Sequence, residues 1–131
     1  MEFIDREKDI KDAKLLSPLV WAYVGDSVYE LFIRTYLTNN SNAKPHKLHL
    51  ESIKYVKAKA QADILKKIDG NLTEEERDIV RRGRNTENHH VAKNADVAEY
   101  SQSTAFEALI GYLYLTKQDE RLKEILGMCI D

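Results

Sequence analysis

Two acidic residues sit where acids are costly. Asp26 lies inside PLVWAYVGDSVYELFIRTYL (18–37) and Glu107 inside YSQSTAFEALIGYLYL (100–115), both runs mostly apolar. Each has a glycine within one turn, Gly25 and Gly111. An ionised carboxylate in an apolar setting needs compensation. A helical glycine costs about 1 kcal/mol relative to alanine, so close approach of another backbone or a ligand is expected there. If the two segments pack side by side as helices, Asp26 and Glu107 meet, and two carboxylates at close range repel strongly. A hard divalent cation is the natural remedy. Mg2+ takes oxygen ligands, keeps several waters, and needs only one or two protein carboxylates beside substrate phosphates. That is the outline of a phosphodiester-hydrolysis site. The residues leave a structural alternative open, in which Asp26 pairs with Arg34 or a distant lysine and Glu107 bonds tyrosine hydroxyls. Spacing alone does not choose between them.

The elements that must position these acids read as helices throughout. Five glycines, two prolines and no alternating Val/Ile/Thr runs in 131 residues predict an all-α fold. Ser17-Pro18 is a helix start, Ser as N-cap and Pro at the first position, and that helix should run to about Leu37. With Val20, Val24, Val28 and Leu31 on the side opposite Asp26, it is apolar all round and expected to be central. A second helix begins near AKPHK and continues through LHLESIKYVKAKAQADILKKI, with Ile53, Val56, Ala60 and Ile64 as its apolar face and Gly70 as its end. Thr73 and Glu76 form a capping box for a third, which ends at RRGRN with Gly83 beyond its last turn. Residues 85–96 are polar and unpatterned, a loop. VAEYSQSTAFEALIGYLYLT is the next helix, and ERLKEILGMCI the last, with Asp119 as N-cap. No repeat or linker divides the chain, so residues 1–131 are expected to form one domain.

Net charge is −2, but the signs are unevenly spread. Residues 41–94 carry twelve Lys/Arg against eight Asp/Glu, and all four histidines. A basic middle block hints at a polyanionic partner. The single cysteine, Cys129, excludes an intramolecular disulfide and reads as a buried, inert thiol. No apolar run spans a bilayer, and the charged N-terminus is no signal peptide, so a cytoplasmic location is expected. His89 and His90 are adjacent and lack nearby partners, which argues against zinc.

YVGDSVYELFIRTYL resembles the signature of the ribonuclease III family, a Gly-Asp pair in an apolar helix followed by Val-x-Glu-Leu. STAFEALIGYLYL is similar to that family's second motif, and LHLESIKYVKAKAQA and RRGRN resemble its intervening helices. The likeness covers about residues 14–128, in the family's order. Two departures matter. Full-length members use four acids per site, and two of those positions are Ala22 and Thr104 here. The sequence also stops where a double-stranded RNA-binding domain would be expected to follow in full-length members. Both features, with RRGRN and STAFEALIGYL, match the compact Mini-ribonuclease III branch.

The resemblance implies an all-helical homodimer with two symmetric sites. It implies a metal-dependent endonuclease for double-stranded RNA, acting on precursor 23S ribosomal RNA, with a ribosomal protein as helper. Asp26 and Glu107 would be the catalytic and metal-holding residues for Mg2+, with Mn2+ as a substitute. Glu30, one turn beyond Asp26, and Thr104 would support them, although Glu30 also suits an i,i+4 pair with Arg34. Lys44, His46, Lys47, Lys54, Lys57, Arg81, Arg82 and Arg84 are the expected phosphate contacts, with Lys54 and Lys57 on one face. Lys93 and Asn94 would add contacts from the 85–96 loop. The tyrosines are expected in core or dimer contacts, and Trp21 at the subunit interface. A non-catalytic module that binds double-stranded RNA or serves ribosome assembly is the competing reading, and a helical interaction protein with no RNA affinity is a third.

Overall fold

The computed structural model describes residues 3–86 and 96–130. The described residues form seven α-helices: α1 (Ile10–Lys14), α2 (Pro18–Asn40), α3 (Pro45–Val56), α4 (Ala58–Ile68), α5 (Glu74–Asn85), α6 (Val97–Leu115) and α7 (Asp119–Cys129). A 3₁₀ turn, Asp69–Asn71, follows α4. The caps expected at Ser17 and Thr73 are present. The Ser17 hydroxyl accepts from the Leu19 amide, and Thr73 and Glu76 satisfy each other's backbone donors.

Helix α6 is the centre of the molecule. Alanine, glycine and large apolar residues line it on every side, and α2, α4, α5 and α7 pack around it. Its partner α2 runs antiparallel, in contact at two glycines. A Cβ on Gly25 would lie 1.8 Å from the Glu107 carbonyl oxygen, and one on Gly111 would lie 1.8 Å from the Trp21 carbonyl oxygen. Edge-to-face ring pairs flank this contact, Trp21 on Tyr112 at 5.2 Å and Tyr29 on Phe106 at 4.9 Å. Such pairs add about 0.5–1.5 kcal/mol each beyond burial.

The structure differs from expectation in five places. The long second helix is two helices, broken where Lys57 turns extended at φ −64° and ψ 154°. The break resets the helical phase. The core face of α4 is therefore Gln61, Ala62, Leu65 and Ile68, while Ile53 is exposed and Val56, Ala60 and Ile64 are half-buried. Gly83 is no C′ residue. It lies inside α5, where a Cβ would come within 2.9 Å of the Ala108 Cβ. Trp21 is fully buried in the protomer, donating to the Ala13 carbonyl at 2.9 Å beneath the Arg82 guanidinium. Helix α2 is covered on one side only, with Val20, Tyr23 and Leu31 exposed. Asp119 begins α7 rather than capping it; its carboxylate holds Arg6 at 2.6 Å, strapping the N-terminal segment to α7.

A second clamp joins α5 to α7. Arg121 donates to both Glu76 oxygens at 2.8 Å and to the Asn71 carbonyl at 2.6 Å. Burial pushes Glu76 up, but the Arg121 guanidinium and the Thr73 backbone amide outweigh it and hold the carboxyl below its ordinary range. Cys129 is buried as expected, its thiol bonded to the Ile125 carbonyl at 3.3 Å and pushed up to about 12 by burial.

Candidate active site

The glycine contact sets the site. Because Gly25 lets the α2 and α6 backbones touch, the next residue on α2, Asp26, is brought against Glu107. The two carboxyl groups lie within hydrogen-bonding reach of each other. Burial, together with the Asp26 carboxylate beside it, pushes Glu107 up to about 8, while the Gln61 amide, a donor to the same carboxylate, pulls the other way. Two acids that cannot both ionise comfortably are the expected signature of this geometry. Asp26 itself is exposed, not set deep among apolar groups, because α2 is open on that flank. Glu107 is half-buried. The acids thus meet at the rim of the core, where solvent and a ligand can reach them.

No lysine or arginine is paired with either acid among the described residues. Arg34, the alternative partner for Asp26, is held by Glu30 at 2.8 Å. No third acid, histidine or cysteine joins the pair among the described residues. Ala22 and Thr104 are both buried, and the Thr104 hydroxyl donates to the Tyr100 carbonyl at 3.1 Å. The donor set is therefore two carboxylates, both offering oxygen. That set fits a small hard cation completed by water and phosphate oxygens, and does not fit zinc.

One neighbour escaped the sequence reading. Gln61 is 2% exposed, its Nε2 donates to the Val56 carbonyl at 2.9 Å, and its Oε1 has no partner. A lone glutamine in KAKAQA carries no motif. Its signal was the core period of α4, Gln61-Leu65-Ile68, which becomes visible once the break at Lys57 is known.

The expected phosphate contacts separate into groups. Lys44, His46 and Lys47 are exposed at the start of α3, where Lys44 is an N-cap without a side-chain bond. Lys54 is exposed but bonded to Glu51 at 3.2 Å. Lys57 sits in the extended break, so Lys54 and Lys57 do not share a helix face. On α5, Arg81 pairs with Asp78, Arg82 lies 4.8 Å above the Trp21 ring, and Arg84 is exposed beside Lys66, Asp69 and Gln102. Lys93, Asn94 and the adjacent His89 and His90 lie outside the described residues.

The chain is similar to proteins of one family. A family model described as the ribonuclease III domain matches residues 19–118. A Mini-ribonuclease 3 of Clostridium tetani is 46% identical, covering 98% of this chain and 86% of the relative. One from Thermoanaerobacter is 52% identical over 88% and 81%, and one from Staphylococcus aureus 46% over 97% and 96%. The crystal structure of a Fusobacterium nucleatum protein superposes with a TM-score of 0.81 at 35% identity, covering 91% of this chain and 95% of that one. The chain belongs to the ribonuclease III family of endoribonucleases, in its compact Mini-ribonuclease III branch.

Proposed function

We propose that the protein is a divalent-cation-dependent endoribonuclease that cuts double-stranded RNA. The observation that carries this reading is the unneutralised Asp26–Glu107 pair, held face to face by two touching glycines. Asp26 and Glu107 hold the cation, Mg2+ or Mn2+. When bound, such a cation acidifies a water and steadies charge on the attacked phosphate and the leaving oxygen. Two protein carboxylates would leave room for phosphate oxygens on such a cation, so cation binding should tighten when RNA is present. Thr104 supports the site through its bond to Tyr100; Glu30, paired with Arg34, holds the flank of α2.

The exposed cations of α3 and α5, with Lys93 and Asn94 beyond them, grip phosphates. A-form RNA offers phosphates and 2′-hydroxyls across a shallow minor groove, which suits sequence-blind contact. Arg82 is anchored over Trp21 and so presents a fixed charge. The whole chain acts as one catalytic unit in the cytoplasm, and two copies pair so that each strand of a duplex meets one site. The substrate we infer is precursor 23S ribosomal RNA, with a ribosomal protein as helper, which is what the resemblance implies. No helix among the described residues is long and apolar enough to cross a membrane.

The replacement of two family acids by Ala22 and Thr104 favours one second reading, a module that binds duplex RNA without cutting it. The two separate in one assay. Wild type with duplex RNA and Mg2+ should cut, and both EDTA and Asp26→Asn should lower the rate at least about 100-fold. Wild type that binds but never cuts makes the module reading correct.

A further inference from the structure

Among the described residues, the buried polar side chains account for their hydrogen bonds with one exception. Ser52, Ser103, Thr104 and Thr116 donate to carbonyls in their own helices, and Glu76 is met by Arg121 and Thr73. Gln61 alone keeps a buried oxygen without a partner. Its orientation is forced, because the Val56 carbonyl can accept only from the nitrogen end of the amide. The same amide stands against the Glu107 carboxyl. A buried amide oxygen left unpaired costs free energy. A leucine would fill this place among Ala62, Leu65 and α6 without that cost, but would leave the Val56 carbonyl without its donor.

The backbone is built to hold this side chain. The carbonyls at the end of α3 would be orphaned by the break at Lys57. The Tyr29 hydroxyl donates to the Tyr55 carbonyl at 3.0 Å, and Gln61 takes the next, Val56. Tyr29 is fixed in turn against Phe106, the neighbour of Glu107. The break, the ring pair and the amide form one connected support that ends at the acids.

We propose that Gln61 is the positioning residue of the Asp26–Glu107 site: its amide, anchored on the Val56 carbonyl, holds the Glu107 carboxyl in place for the cation. The inference rests on the cation-site reading above. Residues that orient metal-holding side chains from behind typically set cation affinity within about 10- to 100-fold.

The test measures Mn2+ binding by electron paramagnetic resonance on the full chain, with and without a short RNA duplex, alongside thermal melts. Gln61→Leu removes a buried unpaired oxygen but also the donor to the Val56 carbonyl, so its melt serves to show that it folds cooperatively. Folded, it should bind Mn2+ about 10- to 100-fold more weakly. Gln61→Met, equally apolar but more adaptable, should weaken Mn2+ binding to the same extent. RNA affinity in EDTA should stay at wild-type level, and excess Mn2+ should restore the cleavage rate. If either folded variant binds Mn2+ as wild type does, Gln61 has only a packing role and the inference fails. If instead wild type and Asp26→Asn show no difference in Mn2+ binding, the cation-site reading itself falls and takes this inference with it.

Discussion

Glu107 carries the sharpest pH dependence in the molecule. Burial and the adjacent Asp26 raise its carboxyl from the ordinary 4.5 to about 8, so the native state binds this proton more tightly than the unfolded chain does. The stabilising contribution is complete below the unfolded value and is lost as pH rises through the folded one. In EDTA, wild-type melting temperature should therefore fall relative to Glu107→Gln as pH climbs from 4.5 to about 8. The amide variant has no proton to lose there. Parallel curves for the two proteins would refute the close approach of the acids. The cation competes with this proton for the same carboxylate, so its affinity should climb through that window and level off above it. Arg121 contrasts with this. Its pairing holds Glu76 in the charged form, so that clamp weakens only when acid protonates the carboxylate.

At the scale of elements, the α2–α6 contact decides whether the acids meet. A methyl group at Gly25 would meet backbone on all sides: Glu107 oxygen at 1.8 Å and Gly111 nitrogen at 2.7 Å. Backbone cannot rotate aside, so Gly25→Ala should part the helices and cost about 3 kcal/mol or more, the upper end of overpacking penalties. Gly127 is the control. It lies inside α7, and a methyl group there would have nothing within 4 Å, so Gly127→Ala should stabilise by about 0.5–1 kcal/mol. Urea unfolding of the two variants gives both numbers; a Gly25→Ala protein as stable as wild type would overturn the backbone contact. Gly25 and Gly111 were legible in the sequence because each stood out against an apolar helix, and the caps at Ser17 and Thr73 because capping is a local signal. Gly83 misled, since a glycine after arginines reads equally as a helix end or as a close approach, and only α6 across from it decides. The break at Lys57 had no local mark. YVKAKA contains neither glycine nor proline, and the kink is held by Tyr29 and Gln61 from outside the turn. The exposure of Asp26 was hidden for a similar reason. An all-apolar helix looks alike whether its second face meets its own core or stands open.

For the whole molecule, that open face bears on the proposed pairing of two copies. Tyr23 is 80% exposed and Leu31 49%, with Val20 beside them. Next to this stripe, Val28, Phe32, Leu122 and Leu126 line a groove. Scattered apolar residues on a surface mean little, but a contiguous stripe along one helix marks a contact site. The stripe offers phosphate no charge to bind, so a second copy of the chain suits it better than RNA. In a two-fold interface each side chain of α2 is used twice, which doubles the effect of one substitution. Tyr23 lies one turn before Asp26, so such a pairing brings two acid sites close to the axis. Leu31 lies further along and touches neither acid, which makes it the cleaner probe. Leu31→Glu should shift sedimentation from dimer to monomer. It should leave the Mn2+ affinity of each protomer's Asp26–Glu107 pair in place, because α2 still packs on α6 through Gly25. Cutting of both strands of a duplex should fall more than nicking of one, since a monomer brings a single site. If wild type sediments as a monomer at the concentrations where it cuts, the stripe serves another partner and the paired-site reading is lost.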